Sequence, residues 1–156
     1  MSDSEYFVIS KIECPEVLEQ ADMLDKTGIV AINDAYAFLK INDDFIHKLQ
    51  PKLTVFGEVK KPPYFGEQYD TGAHISIAYP EEGLVIDHGL IGQEHVFKIK
   101  ELCVVRFEFK EAFVLFVECD SLIDLRSSCG LPEELLYKHN KVGLHITIGM
   151  RVKEAP

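Results

Sequence analysis

The sequence predicts an α+β fold, and three features lead there. Short runs rich in β-branched and aromatic residues recur along the chain, most densely between residues 95 and 118. The stretches with helical spacing between them are few and short. Each half pairs a strand, a helix and another strand, so 156 residues of 47% apolar content are expected to form one domain with two lobes.

Taken in order, Tyr6 to Ile12 alternates weakly as a strand, and beyond Cys14-Pro15 the residues Val17, Leu18, Ala21 and Leu24 fall on one face of a short helix. This opening segment, residues 1–34, is expected to be accessory. Ala35 to Ile41 reads as a strand, and Asn42-Asp43-Asp44 offers an N-cap for a helix carrying Phe45, Ile46 and Leu49, with Pro51 as its stop. Leu53 to Val59 is a candidate strand, residues 60–66 form a loop by their prolines and glycine, and Ala73 to Ala78 is a strand closed by Pro80. In the second half, His95 to Lys100, Cys103 to Phe109 and Phe113 to Glu118 are expected as consecutive antiparallel strands. Leu122, Ile123, Leu125 and Arg126 predict a helix broken before Pro132, Leu135 and Leu136 a last turn, and Leu144 to Val152 a final strand.

Composition limits the partner. The 26 acidic residues against 16 basic ones give a net charge of -10, which repels a long polyanion, so long nucleic acid is not expected. A cleft needs only a few donors, so a small nucleotide or short oligonucleotide remains compatible with an acidic exterior. Cys14, Cys103, Cys119 and Cys129 show neither a CxxC pair nor zinc-site spacing and read as buried thiols in a reducing compartment. The first residues lack the basic and apolar regions of a secretory signal, and no stretch approaches a membrane span; a cytoplasmic protein is expected.

The informative feature is a short repeat. Gly72-Ala73-His74-Ile75-Ser76-Ile77-Ala78 matches Gly143-Leu144-His145-Ile146-Thr147-Ile148-Gly149: a glycine, then His-Ile-hydroxyl-Ile-small. On a strand the side chains alternate, so His74, Ser76 and Ala78 share one face, as do His145, Thr147 and Gly149, while the isoleucines point into a core. Two such strands facing one cleft assemble two imidazoles and two hydroxyls. A neutral imidazole can take a proton from water or a ribose hydroxyl while an imidazolium gives one to the leaving oxygen. Ser76 and Thr147 can hydrogen-bond the non-bridging phosphate oxygens. Either assignment of acid and base fits, and neither a metal nor a cofactor is required.

At these residues the chain resembles the two-histidine (2H) phosphoesterase superfamily, whose signature is two H-x-[ST]-x segments half a domain apart. The resemblance covers roughly residues 35 to 152. It implies a bilobed α+β fold with two antiparallel β-sheets around a central cleft flanked by helices. It also implies metal-independent cleavage of a small nucleotide phosphodiester: a 2′,3′-cyclic phosphate, a 2′-5′ oligonucleotide or a cyclic oligonucleotide. Residues 1–34 have no counterpart in compact members. Many members carry an arginine five residues after the second histidine; here Met150 stands there and Arg151 follows, which strict alternation puts on the face of His145, so Arg151 is a candidate phosphate ligand.

Further candidates surround the motifs. Lys60, Lys61, Tyr64, Phe65 and Tyr69 combine charge with rings ahead of the first motif, as a phosphate- and base-binding loop would. Tyr79 lies just past the first motif and could touch substrate, although alternation sends it toward the core with Ile77. His88 and His95, with Asp87 and Glu94, lack a repeated metal-ligand spacing, and His47 and His139 read as surface residues. Two rival functions accompany the phosphodiesterase: a protein that binds or sequesters a nucleotide without turnover, and a divalent-metal hydrolase using His74, His145 and His88.

Overall fold

A computed structural model describes residues 8–33, 35–63, 71–83, 88–107, 109–137 and 140–152. Among these residues ten strands and three α-helices form a mixed α+β fold. The strands are β1 (Val8–Lys11), β2 (Thr27–Asn33), β3 (Tyr36–Lys40), β4 (His74–Ala78), β5 (Glu94–Val96), β6 (Lys98–Arg106), β7 (Lys110–Glu118), β8 (Leu135–Tyr137), β9 (Asn140–Val142) and β10 (His145–Val152). The helices are α1 (Pro15–Asp22), α2 (Asp44–His47) and α3 (Asp120–Ser128).

Eight strands form one antiparallel sheet in the order β1-β6-β7-β10-β4-β3-β2-β5, and β8 and β9 form a separate ribbon. The two sheets expected around a cleft are two four-stranded halves of this sheet, joined through β10 and β4 at a single pair in register, Ile146 with Ile75. That weak seam follows from the motif itself. Ile75 and Ile146 are fully buried in the main core, and the histidines beside them turn to the other face.

The second half explains why its strands read as continuous apolar runs. Leu102, Val104, Phe113 and Leu115 enter the main core, while Cys103, Val105, Ala112 and Val114 form a smaller cluster on the opposite face. One face of β6 and β7 packs into the core and the other itself forms the floor of a cavity through Val105, Ala112 and Val114, so both faces are apolar there.

Several expected elements differ. Leu53 to Val59 is not a strand: Gln50–Phe56 is a 3-10 helix with Pro51 at its start, where proline's fixed φ suits a first turn, and Gly57 ends it at φ 117°. His95 to Lys100 is split between the sheet's two halves, because Phe97 is buried between β5, which pairs with β2, and β6, which pairs with β7. Leu135 and Leu136 belong to β8, paired with β9, rather than to a helical turn. The strand β2 was not expected from the sequence; it pairs with β3 and β5. Residues 8–33 are therefore built into the main sheet and, through Val17 and Ala21 of α1, into its core. The N-cap position of α2 is Asp43, whose side chain makes no capping bond; one residue earlier, Asn42 Oδ1 accepts from the Asp44 amide at 2.8 Å. Cys14, Cys103 and Cys119 are buried thiols, and Cys129 is half-buried.

Candidate active site

The two motif histidines stand on adjacent strands and line one cavity of about 670 Å³. Antiparallel register around the Ile75–Ile146 pair runs His74 toward Thr147 and Ser76 toward His145, so each imidazole looks across the seam at the other motif's hydroxyl. All four side chains line the cavity.

The motif glycines explain how the rings are held. His74 Nδ1 donates to the Gly72 carbonyl at 2.7 Å, and His145 Nδ1 donates to the Gly143 carbonyl at 2.8 Å. A carbonyl only accepts, so Nδ1 carries the hydrogen in both rings and Nε2 is left as the atom that takes or gives a proton. Burial is the main influence on His74 and pulls its pKa below the usual histidine value. The Gly72 bond opposes this, and the charges of His145 and Lys40 add to the lowering. Burial likewise lowers His145 against the opposing Gly143 bond. Both imidazoles are thus neutral near pH 7 in the free protein.

The first-motif wall is aromatic and polar. The Tyr36 hydroxyl lies 2.5 Å from Ser76 Oγ, and the Tyr36 ring stacks on Phe38 and on Tyr79, with centroids 5.3 and 5.8 Å apart. Phe38 and Tyr36 both present edges or faces to the His74 ring. Behind this wall, Lys40 pairs with Asp43 at 2.5 Å, and Asp43 accepts the Ala73 amide at 3.0 Å, fixing the segment whose carbonyl holds His74. The second-motif wall is apolar: Val105, Ala112, Val114, Val142 and Met150, with Phe107 and Lys110 at its end.

Strict alternation misplaces two candidates, and the cause is the same in both motifs. One residue is extra in each strand after the hydroxyl: Ile77 in β4, between the pairs Ser76–Phe38 and Ala78–Ala37, and Ile148 in β10, between Thr147–Val114 and Gly149–Phe113. Each bulge reverses the alternation beyond it. Tyr79 therefore lines the cavity instead of entering the core, and so does Met150, five residues past the second histidine. Arg151 goes to the far face, where it stands in register with Glu111, binds its carboxylate through Nε and Nη2 at 2.8 and 2.5 Å, and donates to the Phe56 carbonyl. Its guanidinium neutralises a buried carboxylate and does not face the cavity. Gly149 is likewise not open to the cleft; an added Cβ would strike Val59 and Leu53 at 2.6 and 2.7 Å.

Lys61 is not among the cavity residues either; its Nζ lies 3.0 Å from His47 Nδ1 on the exposed side. Tyr64, Phe65, Tyr69, Asp87 and His139 lie outside the described residues, as does the side chain of His88. His95 is buried on the β5 side, with Nδ1 2.7 Å from Ser121 Oγ. No three His, Cys, Asp or Glu side chains among the described residues form a metal-ligand group. No helix among them is long and apolar enough to cross a membrane. Tyr36, Phe38 and Lys110 were not singled out from sequence. The Tyr-x-Phe-x-Lys alternation from Tyr36 to Lys40, read against the first motif as a paired strand, was the signal available for the first two.

A family model for the Swiss Army Knife (SAK) 2H phosphoesterase domain matches residues 37–155, including both histidine motifs. The chain belongs to this family. Searches of curated proteins and of solved structures found no match. Membership in the 2H phosphoesterase family supports a phosphodiesterase-type activity in general. In this 2H phosphoesterase domain the two H-x-[ST]-x segments are the paired inner edges of the two sheet halves, and their bulges decide which flanking residues meet the cavity.

Proposed function

We propose that this chain is a metal-independent phosphodiesterase that cleaves a small nucleotide phosphodiester by two-histidine acid–base catalysis. The supporting observation is a cavity that holds two Nδ1-anchored imidazoles and, among its described lining residues, no carboxylate and one cation, in a protein of net charge -10. Such a pocket attracts an anion that the exterior repels.

The neutral state of both imidazoles sets the order of events. A phosphodiester anion between them stabilises an imidazolium, so one ring takes up a proton from solvent as substrate binds, and this is the proton that the acid will deliver. The neutral ring then takes the proton from water or a ribose hydroxyl as its oxygen attacks phosphorus, and the imidazolium gives its proton to the departing oxygen. Ser76 and Thr147 hydrogen-bond the non-bridging oxygens as charge grows on them, with the Tyr36 hydroxyl aligning Ser76. Each proton transfer contributes about 10²–10⁴ in rate.

The test is product release from 2′,3′-cyclic mononucleotides, 2′-5′ and 3′-5′ dinucleotides and cyclic dinucleotides, with EDTA present throughout. Cleavage in EDTA supports the proposal. Binding of a panel member without cleavage replaces it with a nucleotide-sequestering role, and activity removed by EDTA replaces it with a metal-dependent one.

A further inference from the structure

The two catalytic segments are alike, but the walls flanking them are not, and the difference constrains the substrate. On the side of β6 and β7, the floor of Val105, Ala112 and Val114 runs from Thr147 toward the hairpin tip and ends at Lys110. Lys110 is half-buried, and its ammonium rests over the Phe107 ring, 4.9 Å from the centroid. The adjacent carboxylate, Glu111, points to the opposite face and is taken by Arg106 and Arg151. The cation thus has an aromatic neighbour but no anionic partner among the described residues, and it is the one formal charge among the described side chains lining the cavity.

Its place in the sheet gives a length. Val114 lies opposite Thr147 in register, and Lys110 lies four residues further along β7, roughly 13 Å of strand at about 3.3 Å per residue. A phosphate held between the histidines is therefore out of reach of Lys110. A second anion carried one nucleoside away, with its apolar ring face over Val105, Ala112 and Val114, covers part of that distance, and the extended Lys110 side chain covers the rest.

We propose that Lys110 and this floor form a second, anion-binding subsite that selects substrates bearing another phosphate one nucleoside from the phosphodiester at the histidines. The subsite rests on the phosphodiester reading above and deepens it. It disfavours simple 2′,3′-cyclic mononucleotides, which carry a single phosphate, relative to phosphate-bearing dinucleotides. Lysine acts here as a point charge, so the preference falls as salt rises.

The experiment measures Kd for 2′-5′ and 3′-5′ adenosine dinucleotides with and without a 5′- or 3′-terminal phosphate. The protein carries His74→Ala and His145→Ala to prevent turnover and is compared with the same protein carrying Lys110→Met or Lys110→Arg. The expected result is that at least one terminally phosphorylated dinucleotide binds about tenfold tighter than its unphosphorylated form. That ratio falls to near one in Lys110→Met, survives in Lys110→Arg, and declines with added salt. A ratio near one without the Lys110 change, or one that Lys110→Met leaves intact, overturns the subsite. Turnover of dinucleotides by the unmodified chain, measured alongside, reports on the phosphodiesterase reading separately. If no dinucleotide binds or is cleaved, the subsite fails, while cleavage of a 2′,3′-cyclic mononucleotide in the same preparation would leave the phosphodiesterase reading standing.

Discussion

Tyr79 and Met150, each five residues beyond a motif histidine, both line the cavity because Ile77 and Ile148 bulge from their strands at equivalent points. The repeat in the sequence is thus matched by a repeat in backbone irregularity. Its consequence is that the fifth residue after each histidine lines the cavity, whereas Arg151, the sixth after His145, turns away to Glu111.

The motif glycines look equivalent in sequence but differ in the structure. Gly72 has φ 62°, and a Cβ there would fall on Asp43 Oδ1 and within 2.8 Å of Lys40 Nζ. Gly143 has Phe116 at 3.7 Å as its nearest neighbour, an ordinary contact. Gly72→Ala is expected to lower thermal stability by about 1 kcal/mol or more and to lower kcat by disturbing the carbonyl that orients His74. Gly143→Ala should leave both nearly unchanged. Equal effects in melting and kinetic measurements would mean that the two loops are not held as described.

This contrast marks what the sequence made legible. The period-two pattern around His74 and His145 located both motif strands, and hence the common face of His74, Ser76, His145 and Thr147. Alternation carries no information about an inserted residue, so it sends Tyr79 toward the core, although Tyr79 lines the cavity as its candidacy for substrate contact requires, and it wrongly puts Arg151 on the cavity face. The glycines were visible in the repeat, but their role became apparent only from the Nδ1–carbonyl bonds. Tyr36 lay in an expected strand, yet its partner Ser76 is forty residues away, and local patterns do not reveal strand pairing. Leu53 to Val59 has strand composition, and Pro51 together with packing of Leu53 in the core makes it a 3-10 helix instead.

Tyr36→Phe removes one hydroxyl and keeps the ring between Phe38 and Tyr79. The expected outcome is a three- to tenfold lower kcat, the worth of about one hydrogen bond, with KM and melting temperature little changed. Tyr79→Ala should raise KM instead, since it removes a stacking surface from the cavity wall. Steady-state kinetics on the best panel substrate separate the two, and a KM effect from Tyr36→Phe would assign its hydroxyl to substrate binding.

Arg126 is fully buried and donates to Glu82 (Nη2 to Oε1, 2.7 Å) and to the carbonyls of Ile77, Pro132 and Glu134, while Glu82 also accepts the amides of Tyr79 and Leu136. This pair ties the end of β4 to the β8 ribbon. Glu82→Ala leaves a buried guanidinium without its counter-ion and is expected to cost about 3–5 kcal/mol. In a chain of this size that lowers the melting temperature by roughly 10 °C. A change within a degree or two in calorimetry would show that the pair is not buried as described.

Acid should weaken both the fold and the free site. His74, His95 and His145 all have pKa values lowered by burial, and His95 Nε2 is buried without a hydrogen-bond partner among the described residues. Between the lowered folded values and the usual value near 6.5 the unfolded chain binds more protons, so stability is fully present above pH 6.5 and declines as pH falls below it. His95→Asn, which keeps a partner for Ser121, should flatten that decline in melting curves. In catalysis the same shifts put the optimum of kcat/KM on the acid side of 6.5, and bound phosphate moves the optimum of kcat to higher pH. Coincident optima would mean that bound substrate does not promote protonation of the acid.

The central claim is that the two imidazoles act as one acid–base unit. The measurement that tests it most directly is single-turnover cleavage, in EDTA, of the best panel substrate by the unmodified chain, His74→Ala, His145→Ala and the double variant. Each single change is expected to lower the rate by about 10²–10⁴, and the double variant to be little worse than either single one, because a lone imidazole cannot complete both proton transfers. Retention of near-normal rate in either single variant would contradict it.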